Sequence, residues 1–408
     1  MTVVVQNLEP KVAAHSFRRR VFYIPGYDPI HPRRYRELYR SEGRDQAKIS
    51  GYQIDLTPKK SKGPYGWHVK GLIDGQPCET DVEVLVWSDI VKTSMAQGIF
   101  ATYWQLVVTA WAYIGSGALF RLMRLRKGPM IAALYPVFAL LAQLSVAVLA
   151  GWGVGRLGAL LHPLLGWVAG VALAVLILRL FRRYDNKLFA YYLMHDYAYS
   201  AQSKGTNPPE LEVRMFEFGK VIRQALTDNV DEVLVVGHSS GAHLAVSILS
   251  DLIRTGVPSP HPALAFLSLG QVVPMVSFLP EAKRLRADLH FLAASDALTW
   301  VDVTAPGDGC AFALCDPVAV SGVAPEGQLW PLVISAAFTQ TLSPERWKEL
   351  RWRFFRLHFQ YLCAFDRPGE YDYFRITAGA QTLATRYAGR PPSKSRITRA
   401  LSRYSSMA

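Results

Sequence analysis

No aspartate or glutamate occurs between Ile90 and Tyr184, although the 408-residue chain carries 32 acidic residues elsewhere. Within that stretch two runs, Met130 to Gly155 and Leu157 to Leu178, carry no formal charge at all. Each exceeds the roughly 20 residues needed to cross the hydrocarbon core of a bilayer. Neither shows the polar stripe that a helix packed on a soluble core keeps toward water, so two membrane spans are expected. The four cysteines (Cys78, Cys310, Cys315 and Cys363) form no C-x-x-C pair and no metal-ligand rhythm. Reduced structural thiols are expected, with no metal and no cofactor. The first residues lack the apolar core of a signal peptide, which excludes reading the later apolar runs as cleaved targeting segments.

Basic residues are in excess, giving a formal net charge of +13. They gather beside the apolar runs. Arg121, Arg124, Arg126 and Lys127 precede the first run, and Arg179, Arg182, Arg183 and Lys187 flank the end of the second, whereas the connection between them holds only Arg156. Positive charge stays on the cytoplasmic side, so the polar parts of the chain are expected there, with the hairpin loop outside. Such clusters are drawn to anionic headgroups. A nucleic-acid partner is not expected, because no reader motif accompanies the charge.

A third apolar stretch, Met95 to Phe120, contains Tyr103, Trp104, Trp111 and Tyr113 and is interrupted by Gly115 and Gly117. That composition suits the headgroup boundary as well as a span. If the flanking parts build one domain, the number of crossings is even, and two spans plus one interfacial or half-inserted helix satisfy this. The expected organisation is a first domain part at 1–94, a membrane insertion at 95–184, a second domain part at 185–385 and a basic, mobile tail at 386–408.

Strand-like runs occur at Arg20 to Gly26, Gly51 to Leu56, Trp67 to Ile73 and Val82 to Trp87, with a helix expected from about Pro32 to Gly43. Beyond the insertion, Leu211, Met215, Phe218, Ile222 and Leu226 recur at helical spacing. Short apolar runs then follow at Leu264 to Leu269, Trp300 to Thr304 and Trp330 to Ser335. This is the rhythm of a mostly parallel sheet with crossover helices, an α/β fold assembled from both sides of the insertion.

Gly237-His238-Ser239-Ser240-Gly241 follows the β-forming run Val233 to Val236 and opens onto the helix-formers Ala242 and Ala245. A strand, a sharp turn and a helix with serine at the apex is the geometry that lifts a hydroxyl clear of a sheet, and small flanking residues allow the turn. Ser239 is therefore the candidate nucleophile. A serine hydroxyl needs a base, and the base usually a carboxylate to orient it. Asp308 lies in the turn after Trp300 to Thr304, at the carboxyl edge of the sheet where ligand chemistry gathers. Asp296, Asp302 and Asp316 are rivals, Asp302 first among them. His358 lies beyond the last strand, whereas His243 sits on the elbow helix, His261 in a proline-rich loop and His290 before the acid strand. His238 is expected to lie buried under the elbow.

On its elbow and its order of Ser, acid and His, the chain resembles the α/β-hydrolase superfamily over roughly Arg20 to Val91 and Asp185 to about Ala380. The resemblance implies a hydrolase sheet flanked by helices and a catalytic Ser239, Asp308 and His358. It implies oxyanion-hole amides from Ser240 and from the loop after an early strand, where Pro25-Gly26-Tyr27 offers Tyr27. Proline stands at Pro25 where the family commonly has histidine. The expected activity is membrane-anchored ester hydrolysis, on a lipid-like or otherwise apolar acyl substrate. Acyl transfer, thioester cleavage and a non-catalytic membrane scaffold are the alternatives.

Overall fold

The structure, a computed structural model, describes residues 16–408; the N-terminal segment in which no signal-peptide core was found lies outside them. β1 (Phe17–Ile24) leads through α1 (Arg33–Ser50) to a meander of β2 (Gln53–Pro58), β3 (Gly66–Ile73) and β4 (Gln76–Val84). A run of helices follows: α2 (Ser88–Met95), α3 (Ile99–Gly115), α4 (Ala118–Leu125), α5 (Lys127–Ala159), α6 (Pro163–Arg183), α7 (Asp185–Leu188), α8 (Ala190–Ala201) and α9 (Pro209–Ala225). The chain then alternates through β5 (Glu232–His238), α10 (Ser240–Arg254), β6 (Ala263–Leu269), α11 (Val273–Ser277), α12 (Lys283–Ala294), β7 (Thr299–Thr304) and β8 (Leu332–Ser335).

These strands form one 8-stranded sheet in the order β2-β3-β4-β1-β5-β6-β7-β8. It is mostly parallel; β3 runs antiparallel to both β2 and β4, while β4, β1, β5, β6, β7 and β8 all run one way. Parallel sheets need both faces covered, and β5 is buried along its whole length. Leu234 and Val236 join a core with α1 and the C-terminal helices through Tyr39, Leu357 and Phe374. Val233 and Val235 face the other way, against α9, α10 and α12 through Ile222, Leu249 and Leu289. The chain leaves β1 on one side and returns as β5 on the other, so the carboxyl ends of β1 and β5 flank a topological switch point, the usual ligand crevice of such sheets. α1 runs to Ser50 rather than stopping at Gly43, because Gly43 makes room for the Phe374 ring, 3.1 Å from where a Cβ would stand.

α5 and α6 are each long and apolar enough to cross a membrane. Their contact is built from glycine: a Cβ on Gly166 would stand 2.4 Å from the Gly155 carbonyl oxygen, and one on Gly151 would stand 2.5 Å from that of Gly170. Small residues at such spacing let backbones approach where no hydrophobic drive separates helix from lipid. Trp152, Leu160 and Trp167 point outward. α3 and α4 are bent by 72° at the Ser116-Gly117 break. α3 buries Gln105, Thr109 and Ala112 and exposes Phe100, Trp104 and Trp111.

The segment after Arg386 differs from the mobile tail expected of it. Ser393 donates to the Val333 carbonyl, Ile397 to Leu314 and Leu401 to Val320, while Arg390 pairs with Glu370. Ile397 and Leu401, spaced four apart among Pro, Ser and Arg, pack on the cluster around Phe312 and Cys315 and dock a stretch that its composition alone leaves in solvent.

Gly166→Leu should lower the stability of the detergent-purified full chain by about 1–3 kcal/mol, since the added side chain meets backbone that cannot yield. Gly153→Leu, where the space is open, serves as the control. Equal thermal midpoints for the two variants would mean that the glycine contact does not hold the hairpin together.

Candidate active site

The elbow is strained, and its neighbours hold the strain. Ser239 has φ 56° and ψ −122°, a backbone conformation rare for a residue with a side chain, at a cost of order 1–3 kcal/mol. Its amide donates to the Leu269 carbonyl at the end of β6, and its carbonyl accepts from Ala242 in the first turn of α10. Both motif glycines are required by close approach. A Cβ on Gly241 would stand 2.1 Å from the Ile24 carbonyl oxygen at the end of β1, and one on Gly237 would stand 2.8 Å from Ala242 Cα. Gly26 meets Ser239 itself, since its Cβ would lie 2.9 Å from Ser239 Cβ and 3.3 Å from Oγ.

The structure brings Asp308 and His358 together. His358 Nδ1 donates to Asp308 Oδ2 at 2.7 Å, which fixes the ring so that, when neutral, Nε2 is the bare acceptor. That Nε2 is buried and has no partner among the described residues. Ser239 and His358 line one cavity of about 710 Å³, but no hydrogen bond joins Oγ to Nε2 among the described residues; such bonds often close only when substrate binds. Burial pushes the Asp308 carboxyl up, but His358, the Cys310 amide and the Tyr361 hydroxyl together outweigh it and hold the acid below its usual value.

The rival acids are engaged elsewhere. Asp302 lies within β7, bonded to Ser268 Oγ at 2.5 Å, and burial pushes it up to about 8. Asp316 caps the short helix Pro317–Val320 through the amides of Val318 and Ala319, and Asp296 is exposed ahead of β7. His238 is buried under the elbow, as its position suggested. Its Nε2 bonds the His358 carbonyl at 3.0 Å, so that nitrogen carries the proton, and burial pulls the ring down to about 3. His243 is also buried, at the cavity wall, and is pulled down to about 4. His290 bonds the Val323 carbonyl, and His261 bonds that of Pro262.

Tyr27 and Ser240 both border the cavity at the switch point, and among the described residues neither amide N–H donates to a backbone carbonyl. The Tyr27 loop is pinned on both sides. Trp87 Nε1 donates to the Pro25 carbonyl at 2.9 Å, and the Tyr192 hydroxyl donates to that of Tyr27 at 2.6 Å. Asp308, Cys310 and His358 place possible ligand atoms within 4.8 Å of one another. Burial raises the Cys310 thiol well above its usual range, which keeps it protonated and a weak ligand. A metal would also have to break the Asp308–His358 bond.

Three features went unread in the sequence. Tyr361, one helical turn after His358, accepts from the Ala305 amide and donates to Asp308 Oδ2 at 3.0 Å; the i, i+3 spacing was the available signal. Gly270, with φ 53°, lets His358 Cε1 come within 3.1 Å of where a Cβ would stand. Asp196 on α8 lines the cavity, and no motif marks it. Compared with known proteins, the chain matches no protein-family model, no curated protein and no solved structure.

Tyr361→Phe removes a donor that favours ionised Asp308, so the folded-state pKa of that acid rises toward its unfolded value. A depressed carboxyl pKa contributes stability that is complete above the unfolded pKa and is lost as pH falls through the folded one. The variant should therefore be less stable at pH 7 by about 1–3 kcal/mol. The Asp308 share of that deficit should shrink as pH falls from about 4 toward and through the lower folded-state pKa, below which the acid is protonated in both states. Thermal midpoints of both proteins across that range measure it; a deficit independent of pH would mean that Tyr361 supports packing alone.

Proposed function

We propose that the chain is a membrane-anchored serine hydrolase of the α/β-hydrolase type, cleaving carboxylic esters through an acyl-enzyme. The observation that carries this reading is the strained Ser239, facing the same cavity as a His358 Nε2 that has no partner among the described residues and whose other nitrogen is held by Asp308. A packing turn has no use for such strain, whereas a nucleophile gains exposure from it.

Ser239 Oγ attacks the ester carbonyl carbon while His358 Nε2 takes its proton, and Asp308 stabilises the resulting imidazolium without itself becoming protonated. The oxyanion faces the amides of Tyr27 and Ser240, donors already fixed before charge develops. Collapse of the tetrahedral intermediate breaks the bond to the alcohol, and His358 returns the proton to the leaving oxygen. Water then repeats the sequence on the acyl-enzyme, releasing the acid and restoring Ser239.

α5 and α6 cross the bilayer in this reading, and the basic clusters at Arg121 to Lys127 and Arg179 to Lys187 keep the catalytic body on the cytoplasmic side. The outward aromatic face of α3 rests on the membrane surface beside them. The cavity wall includes Tyr113 from α3 and Pro129 from α5, so its lining is continuous with the membrane-facing helices. This favours a lipid-like or otherwise apolar acyl ester.

Ser239→Ala should reduce fluorophosphonate labelling and hydrolysis of a nitrophenyl ester to background, and Asp308→Asn should lower kcat/KM by about a thousandfold or more. Undiminished labelling of Ser239→Ala would remove the nucleophile assignment. For the anchor, Leu149→Arg combined with Val171→Arg places two exposed cations on the hairpin, each costing about 2.5–3.5 kcal/mol at a span centre. The double variant should leave the carbonate-resistant membrane fraction; full retention there would overturn the spanning assignment.

A further inference from the structure

The wall of the Ser239 cavity carries four carboxylates or near neighbours of it, and three of them are occupied. Asp308 holds His358. Asp28 accepts from the Ile30 amide and the Tyr35 hydroxyl, and Asp185 accepts from the amides of Tyr191 and Tyr192 at the start of α8. Asp196 differs from these: it lines the cavity from the middle of α8, partly buried, and none of the described residues gives it a hydrogen bond or an ion pair. The basic side chains on the same wall do not supply a partner, since Arg356 is paired with Glu42 and Arg34 acts on Asp28.

A carboxyl without a donor in an apolar cavity is costly unless something completes it. Burial pushes Asp196 up to about 7, with His358 acting in the opposite direction, so the surrounding protein supports its charge poorly. Its surroundings indicate what would support it. Tyr27, Tyr113, Tyr192 and Tyr197 line the cavity with it. Three of their hydroxyls are spent on the fold: Tyr192 on the Tyr27 carbonyl, Tyr113 on that of Met275, and Tyr27 on Ser94. Of these groups the cavity is left with the tyrosine rings, the Tyr197 hydroxyl and one carboxylate unanswered among the described residues. Aromatic rings around a negative charge form the environment that favours a methylated ammonium, which attracts π faces and offers no hydrogen to donate.

We infer that Asp196 is a specificity-determining residue that receives a quaternary ammonium group on the alcohol portion of the ester substrate, with the tyrosine rings enclosing it. The inference rests on the hydrolase reading, because it places the ammonium in the same cavity as the Ser239 hydroxyl. It goes further by assigning the charge and shape of the group that enters with the acyl chain.

The test uses the full-length chain in detergent and reads binding and turnover separately. Calorimetric binding of choline is compared with that of its uncharged carbon isostere, in which a tert-butyl group replaces trimethylammonium. In parallel, kcat/KM is measured for the acyl esters of both alcohols and taken as a ratio within each variant, so that any general loss of activity cancels. The wild-type chain should prefer the ammonium member by about tenfold or more in both measurements, and Asp196→Asn should bring the preference to near unity, as the loss of one charge and its cation contacts implies. Asp196→Glu, which keeps the charge, should restore part of it and guards against a variant that merely misfolds. Equal affinity of wild type for choline and its isostere, or a preference that survives Asp196→Asn, would overturn the inference. Binding needs no turnover, so failure of the hydrolase reading registers separately, as ester cleavage indifferent to Ser239→Ala.

Discussion

The left-handed backbone at Ser239 is the constraint around which the sheet is arranged. A residue with a side chain holds that conformation only where its surroundings over-determine it, and here three strands do so. β5 delivers the turn, β6 anchors its amide through Leu269, and β1 approaches so closely that Gly241 has no space for a side chain. The same approach brings Gly26, the residue before Tyr27, against Ser239. Order β4-β1-β5-β6 is thus required by the elbow as much as by the core: without β1 beside β5, the turn would lose the wall that supports it.

Around this point, environment divides the carboxylates into different chemical kinds. Asp308 and Asp302 come from one strand and the turn after it, yet they are shifted in opposite directions. Asp308 receives an imidazole N–H, an amide and a phenol, and ionises readily. Asp302 receives the Ser268 hydroxyl within the sheet and only a weaker contribution from Gln271, and burial pushes it up to about 8. The difference is the number of donors that answer each buried charge. Only six positions along the chain divide an acid that holds an imidazole from one whose charge burial disfavours.

The elements that were legible in the sequence are those whose cause is local. The elbow could be read because strand, turn and helix are consecutive and both glycines lie inside the motif. The apolar hairpin could be read because absence of charge over such lengths has few other meanings. The parallel arrangement on the β5 to β8 side followed from alternating strands and helices. What could not be read depends on partners distant along the chain. The spacing of Tyr361 from His358 puts it one turn away but does not name Asp308 as its partner, and nothing near Gly270 announces that Tyr361 and His358, far downstream, will fill the space a Cβ would need. The docking of Ile397 and Leu401 was hidden because proline, serine and arginine dominate their surroundings, while the surface that receives them is built from other segments. Asp196 lies in an apolar, tyrosine-rich helix where one carboxylate looks like an ordinary solvated residue, until the cavity on that side is known.

The insertion between β4 and β5 is more than a tether attached to a finished body. α8 packs against both α3 and α5, and its opposite side contributes Tyr192, Asp196 and Tyr197 to the cavity that Ser239 faces. One helix is therefore shared between the layer that carries the apolar hairpin and the cavity that Ser239 lines. Tyr192 extends the connection, because its hydroxyl holds the Tyr27 carbonyl and so the loop after β1. In the proposed enzyme, anchoring and catalysis thus share a physical part. The amide that would stabilise the transition state is positioned by a tyrosine on the helix against which the insertion packs, and a sheet without the insertion would lack both the cavity wall and the support of its oxyanion loop.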